Sequence, residues 1–241
     1  MTDRLVRFLA SVTSEAEARL AAREGADIID CKDPAAGALG ALPHEVVAAI
    51  RASLPATVPV SATIGDLPAE PERVLEAARA MAATGCDIVK IGLFPGGAPL
   101  ATIAHLGRHL AHSTPLVAVL MADAPHDPAL VRALGDAGFA GVMLDTANKD
   151  GRTLLDHGAP DVLHAFVTQA QGAGMFAGLA GSLRRSQIPE LLALKPDVLG
   201  FRGALCKASD RRSALDAAAV ADVRAAIPRS AQPARTLEAT P

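Results

Sequence analysis

Two amines and a carboxylate stand out by type and spacing. Asp30 and Lys32 lie two residues apart, so they share one face of any extended segment. The run Gly25-Ala-Asp-Ile-Ile-Asp30 recurs as Gly85-Cys-Asp-Ile-Val-Lys90, which aligns Lys90 with Asp30 and sets the two at similar depth. Further on, Asp145 shares a face with Met143, and Lys149 follows it. Such a cluster suits imine chemistry. A nucleophilic lysine has to be partly neutral near pH 7, and a second cation close by, with partial desolvation, lowers its pKa. A carboxylate or a second amine then moves protons during imine formation and carbanion chemistry. The competing role is a set of structural ion pairs, but burying several charges for stability alone is seldom profitable.

The scarcity of lysine adds weight. Five lysines (Lys32, Lys90, Lys149, Lys195 and Lys207) stand against eighteen arginines in 241 residues. Arginine neither forms an imine nor gives up its proton near neutral pH, and lysine does both. Codon bias explains many arginines, but it does not choose where the few lysines fall.

Eight short apolar or β-branched runs must position these residues: Arg7–Val12, Asp27–Lys32, Val58–Ile64, Asp87–Leu93, Leu116–Ala122, Gly141–Thr146, Met175–Gly181 and Asp197–Gly203. Most are apolar on both faces, as in a buried parallel sheet. Helix punctuation separates them. Ser14 with Glu17 forms a candidate capping box with Gly25 as the stop, Pro43 and Pro71 stand at first helical positions, and Asp127-Pro128 opens another helix. Further helices are expected over Gly97–His112, Pro160–Gln171, Ile188–Leu194 and Ser213–Ile227. Eight βα units in this length predict an α/β fold, a single (β/α)₈ TIM barrel over residues 1–227. Residues 228–241 lack an apolar period and read as a disordered C-terminal tail. An open doubly wound sheet loses ground because no G-x-G-x-x-G follows the first strand.

In such a barrel the chemistry sits at the C-terminal strand ends. Lys32 ends the second strand, Lys90 lies late in the fourth, Lys149 follows the sixth and Lys207 the eighth. Only Lys195 falls at a helix end, where a cation facing the dipole is ordinary. Gly181 and Ser182 after the seventh strand, with Arg202, Gly203 and Lys207 after the eighth, are candidates for binding a substrate phosphate. Ser61, Thr63 and Asp66 after the third strand either line the mouth or form a polar turn.

Composition excludes other classes. A net charge of −3, 2% aromatic residues and no Trp or Tyr argue against a nucleic-acid partner. No apolar run has the length of a membrane span, and the charged N-terminus lacks a signal-peptide core. Three cysteines without metal-ligand spacing read as reduced thiols in a cytoplasmic protein, and no metal or organic cofactor is expected. Association into a homo-oligomer is left open.

Several blocks together carry a family resemblance. Asp27-Ile-Ile-Asp-Cys-Lys-Asp-Pro34 with Gly37-Ala-Leu-Gly40, Val60-Ser-Ala-Thr-Ile-Gly-Asp66, Asp87-Ile-Val-Lys-Ile-Gly-Leu93 and Met143-Leu-Asp-Thr-Ala-Asn-Lys-Asp-Gly151 supply most of it. Leu179-Ala-Gly-Ser182 and Gly200-Phe-Arg-Gly-Ala-Leu-Cys-Lys207, ending at Asp210-Arg211, complete it. The chain resembles the (5-formylfuran-3-yl)methyl phosphate synthase family of methanofuran biosynthesis, also called 4-(hydroxymethyl)-2-furancarboxaldehyde-phosphate synthase. The resemblance implies a TIM-barrel lyase that condenses two glyceraldehyde-3-phosphate molecules with loss of phosphate and water. It makes Lys32 the Schiff-base lysine and Lys90 the proton acceptor, assisted by Asp30, Asp145 and Lys149, with the resulting enamine attacking a second aldehyde. Departures lie in the short loop Phe94-Pro-Gly-Gly97 and in an Ala/Arg-rich background, which points to a bacterium and the related methylofuran of C1 metabolism. Taken without the resemblance, the same residues fit a class I aldolase on another sugar phosphate, or a barrel that binds a phosphorylated metabolite without turning it over.

Overall fold

The structure is a computed structural model that describes residues 5–125 and 127–228. Beyond Pro228, the expected tail lies outside the described residues. Eight strands follow one another in chain order around a closed, all-parallel barrel. They are β1 (Arg7–Val12), β2 (Ile28–Cys31), β3 (Val60–Thr63), β4 (Ile88–Leu93), β5 (Leu116–Met121), β6 (Gly141–Asp145), β7 (Phe176–Leu179) and β8 (Val198–Phe201). Each predicted run contains its strand. The helices are α1 (Glu15–Arg23), α2 (His44–Ala52), α3 (Pro71–Ala82), α4 (Pro99–Leu106), α5 (Ala129–Asp136), α6 (Pro160–Gly172), α7 (Ile188–Ala193) and α8 (Ala217–Ala226).

Side chains sort by strand alternation into two apolar layers. Leu9, Ile28, Ile88, Val117, Val119, Met143 and Val198 fill the barrel interior, while the alternate residues, Cys31 among them, pack between sheet and helices. Glycine makes room inside: a Cβ on Gly178 would lie 2.5 Å from Met143 Cγ. The strand stagger of an eight-stranded barrel brings residues of alternate strands to a common level, so Asp30 and Lys90 meet above this apolar filling.

The repeated sequence run has a mechanical explanation at the opposite end. Asp27, Asp87 and Asp197 stand just before β2, β4 and β8. Each accepts the backbone N–H of a residue in the preceding strand (Phe8, Val60 and Ala177, at 2.7, 2.8 and 2.8 Å). Arg224 joins Asp27 at 2.5 Å, Arg51 joins Asp87 at 2.7 Å and Gln171 joins Asp197 at 3.0 Å. Ala140 occupies the matching place before β6 and offers only its backbone N–H, to Leu116.

Local signals held with small shifts. Ser14 caps α1, but Glu17 reaches Thr13 rather than closing the capping box on Ser14. Pro43 and Pro128 are N-cap residues, one position earlier than expected. The expected helix Gly97–His112 is α4 running into a π-turn over Gly107–Ala111. There Gly107 lies so close to α5 that a Cβ would come within 2.8 Å of the Ala137 carbonyl oxygen.

Candidate active site

The five residues predicted for proton and carbonyl chemistry converge at the C-terminal mouth of the barrel. Asp30 is fully buried on β2. It accepts from Ser11 Oγ at 2.9 Å, Ser61 Oγ at 2.7 Å and Lys90 Nζ at 3.1 Å. Lys90, itself 4% exposed, is thereby held down on the barrel floor. Lys32 lies just past β2 and reaches across the barrel to Asp145 at the end of β6, 3.1 Å away. The other Asp145 oxygen accepts from Lys149 Nζ at 2.9 Å and from the Thr146 amide at 2.7 Å. Lys149 also donates to Thr146 Oγ1 at 3.0 Å and is the most open amine of the three, with 17% of its side chain exposed.

The electrostatics follow from this packing. Burial by itself raises the Asp30 pKa, but the charges of Lys90 and Lys32 and the Ser61 hydrogen bond outweigh it and hold the carboxyl low. Burial likewise works against the Asp145 anion, and Lys32 and Lys149 more than compensate, so its pKa is well below the usual carboxylate range. Lys149 moves the other way: desolvation lowers its pKa despite the attraction of Asp145. The arrangement is one of two ionised carboxylates shared among three amines, with burial favouring the neutral form of the most exposed one, Lys149.

Loop position is fixed by two further aspartates. Asp123, after β5, accepts the amides of Ala147 and Asn148 at 2.8 and 2.7 Å and so pins the loop that carries Lys149. Asp66, after β3, accepts the amides of Ala38 and Leu39 at 2.8 and 2.7 Å and pins the loop that follows Lys32. Of the three polar residues on and after β3, Ser61, within the strand, thus belongs to the cluster. Asp66 is a loop clamp, and Thr63 donates to the Cys31 and Gly40 carbonyls.

The predicted phosphate residues divide. Gly181 and Ser182 both have positive φ, 107° and 49°, and their amides meet no protein acceptor among the described residues. The Gly203 and Ala204 amides, opening the 3₁₀ turn Gly203–Leu205, are free in the same way. The Lys207 side chain is exposed on the same loop. Arg202 is the correction. Its guanidinium donates to Glu17 (2.6 and 3.3 Å) and to the carbonyls of Ser11, Arg211 and Ser213, which occupies all five N–H groups inside the protein. An arginine beside a glycine at a strand end resembles an anion ligand, but its partner on α1 is remote in sequence. Arg202 ties the β8 loop to the buried Glu17 and has no donor left for phosphate.

Two residues of the mouth were not singled out from sequence as site residues. Ser11 carries no motif of its own and is informative only once β1 is paired with β2 at Ser11↔Asp30. Arg211 appeared only at the edge of a matched block. It is half-buried and lies within the electrostatic reach of Asp145 and Lys149. No group of His, Cys, Asp and Glu with the geometry of a metal site occurs among the described residues. The three cysteines are buried and unpaired, with burial pushing the Cys206 thiol up to about 11. No helix among the described residues is long and apolar enough to cross a membrane.

Comparison with known proteins identifies the family and the fold. A family profile described as 4-HFC-P synthase matches residues 8–224. A Methylorubrum extorquens protein is 45% identical over 218 residues, covering 89% of each chain. The (5-formylfuran-3-yl)methyl phosphate synthase of Methanocaldococcus jannaschii is 36% identical over 217 residues, 86% of this chain and 92% of that one. Among solved structures, phosphoribosyl anthranilate isomerase from Thermus thermophilus superimposes with a TM-score of 0.65 at 19% identity, covering 92% of this chain and 98% of that one. A 3-hexulose-6-phosphate synthase gives 0.63 at 22%, covering 92% and 100%. At these identities the structural likeness speaks for the barrel alone.

Proposed function

Because the chain belongs to the 4-HFC-P synthase family, we propose that it condenses two triose phosphates into (5-formylfuran-3-yl)methyl phosphate through an imine on Lys32. The observation that carries the proposal is the Lys32–Asp145–Lys149 chain, at 3.1 and 2.9 Å, above the Lys90–Asp30 pair. Lys32 becomes nucleophilic by passing its proton over Asp145 towards Lys149, whose pKa burial has lowered.

Lys32 adds to the aldehyde of glyceraldehyde-3-phosphate and loses water to give an iminium. Lys90, held by Asp30, removes the proton from the adjacent carbon. The enamine electrons then expel phosphate from C3, leaving an enol whose C3 is a nucleophile. The product carries its formyl and phosphomethyl groups at ring positions 5 and 3, so C3 has to attack the middle carbon of the second triose phosphate. That triose therefore first isomerises through an enediol, its C2 proton passing to C1 and its C2 hydroxyl proton to the C1 oxygen, and reacts as the ketone, not at the aldehyde that the family resemblance first suggested. Ring closure of its hydroxyl onto C2 of the first triose and loss of water give the furan, and hydrolysis frees Lys32. Overall, two triose phosphates yield one furan phosphate, one phosphate and two waters. The free amides of Gly181, Ser182, Gly203 and Ala204 suit one substrate phosphate, with Lys207 adding charge.

Borohydride reduction in the presence of glyceraldehyde-3-phosphate, followed by peptide mass analysis, tests the imine. A reduced triose adduct on Lys32 is expected, together with a furan absorbance when borohydride is omitted. Absence of the adduct from folded protein overturns the assignment of Lys32. A reversible sugar-phosphate product in place of the furan favours the aldolase alternative, and substrate binding without any product favours a non-catalytic barrel.

A further inference from the structure

The condensation joins two phosphorylated trioses, and the amides after β7 and β8 account for one phosphate. We propose that Arg211 anchors the other, the phosphate of the triose that enters second and is attacked at its middle carbon. This rests on the synthase reading and adds a ligand site to it.

The site is built from both sides. On the β8 loop, Arg202 Nε holds the Arg211 carbonyl at 2.9 Å, and Arg211 Cβ lies 4.0 Å from where a side chain on Gly203 would begin. From there Arg211 reaches the β2 loop, where its Nη2 donates to the Gly37 carbonyl at 3.1 Å. Gly37 is itself fixed. It has φ +125°, the next two amides bind Asp66, and a Cβ would come within 2.2 Å of Asp66 Oδ2. One N–H of the guanidinium is spent on aiming the fork, and the others meet no protein acceptor among the described residues. A planar fork with free donors suits bidentate contact with phosphate oxygens.

Charge points the same way. Lys32, Lys90, Lys149 and Arg211 stand with Asp30 and Asp145 around the mouth, Asp33, Arg202 and Arg212 lie beside Arg211, and the loop clamps Asp66 and Asp123 turn their carboxylates onto backbone amides. The ammonium and guanidinium groups that face the recess attract anions there. Arg202 cannot serve, because Glu17 and three carbonyls consume its donors.

The test compares wild type with Arg211→Met and Arg211→Lys in two assays. The first is borohydride trapping of glyceraldehyde-3-phosphate on Lys32. The second is furan formation with the second triose supplied either as dihydroxyacetone phosphate or as unphosphorylated dihydroxyacetone, whose furan product lacks phosphate and separates by chromatography. Arg211→Met is expected to trap the first triose with half-saturation within about threefold of wild type, which also reports a folded site. Its kcat/KM for the phosphorylated second substrate falls about 100-fold, whereas that for dihydroxyacetone changes less than about threefold. Arg211→Lys, keeping charge without the fork, lies between. Equal losses with both second substrates, weakened trapping, or no loss overturn the role of Arg211 while leaving the synthase reading intact. A wild type that forms no furan overturns both.

Discussion

The two ends of the barrel use aspartate for opposite purposes, and one strand shows the contrast within three residues. Asp27, at the entry to β2, binds a backbone amide of β1 and the buried Arg224. Asp30, on the same strand, is deeper and binds two hydroxyls and Lys90. The pattern repeats on β4, where Asp87 clasps Val60 and Lys90 points into the mouth. At the lower end Asp27 and Asp87 pair with arginines, which hold fixed forks and keep their protons. At the upper end Asp30 and Asp145 pair with lysines, a side chain that can give up its proton where arginine cannot. On β2 and β4, then, the carboxylate before the strand holds backbone and arginine, and the one within the mouth holds hydroxyls and a lysine.

The sharpest way to break this contrast is at the upper end. Lys90→Arg keeps the charge but cannot be deprotonated to act as a base, so turnover is expected to fall about 10³-fold with the protein folded by circular dichroism. Near-normal furan formation would remove Lys90 from the chemistry. At the lower end, Asp27→Ala leaves Arg224 buried without its carboxylate and Phe8 without its acceptor, at a cost of about 3 kcal/mol in denaturant unfolding. The remaining folded enzyme should keep its kcat/KM within about twofold. A loss of turnover without loss of stability would show that the two ends are not separate.

The smallest effect is in acid. Asp30 and Asp145 have folded-state pKa values depressed from 3.8, so each contributes stability that is fully present above that value and is lost as pH falls through the lower folded one. Melting temperature should be level from about pH 7 to about pH 5 and drop below about pH 4. In Asp145→Asn that acid drop should become shallower, and an unchanged slope would mean that Asp145 is not the ionised partner of Lys32 and Lys149.

Much of this was legible in the sequence, for identifiable reasons. All eight strands carry local apolar runs, and the repeat Gly-x-Asp-Ile-[Ile/Val]-[Asp/Lys] aligned Asp30 with Lys90, which meet at 3.1 Å. Strand alternation, with the rule that the loops after barrel strands line one mouth, sufficed to bring Lys32, Asp145 and Lys149 together. What escaped depends on pairs distant in the chain. The commitment of Arg202 to Glu17, the clamps of Asp66 and Asp123 on neighbouring loops, and the reach of Arg211 to Gly37 are all set by closure of the barrel. The π-turn at Gly107–Ala111 escaped for the same reason, since its cause is the neighbouring helix.

The clasps are also distributed unevenly, and in step with the ladder. Of the four seams that lead into β2, β4, β6 and β8, the one without a clasp, between β5 and β6, is hydrogen-bonded from Val117↔Gly141 to Met121↔Asp145. The β7–β8 seam, by contrast, has only Gly178↔Val198 and Leu179↔Leu199 and depends on Asp197 beneath. Directly above that short seam stand the free amides of Gly181, Ser182, Gly203 and Ala204. On the proposed reading, a substrate phosphate held by these amides joins β7 to β8 from the top as Asp197 joins them from the bottom. Substrate binding would then also raise resistance to unfolding, with the ligand in the place of the missing rungs of the ladder.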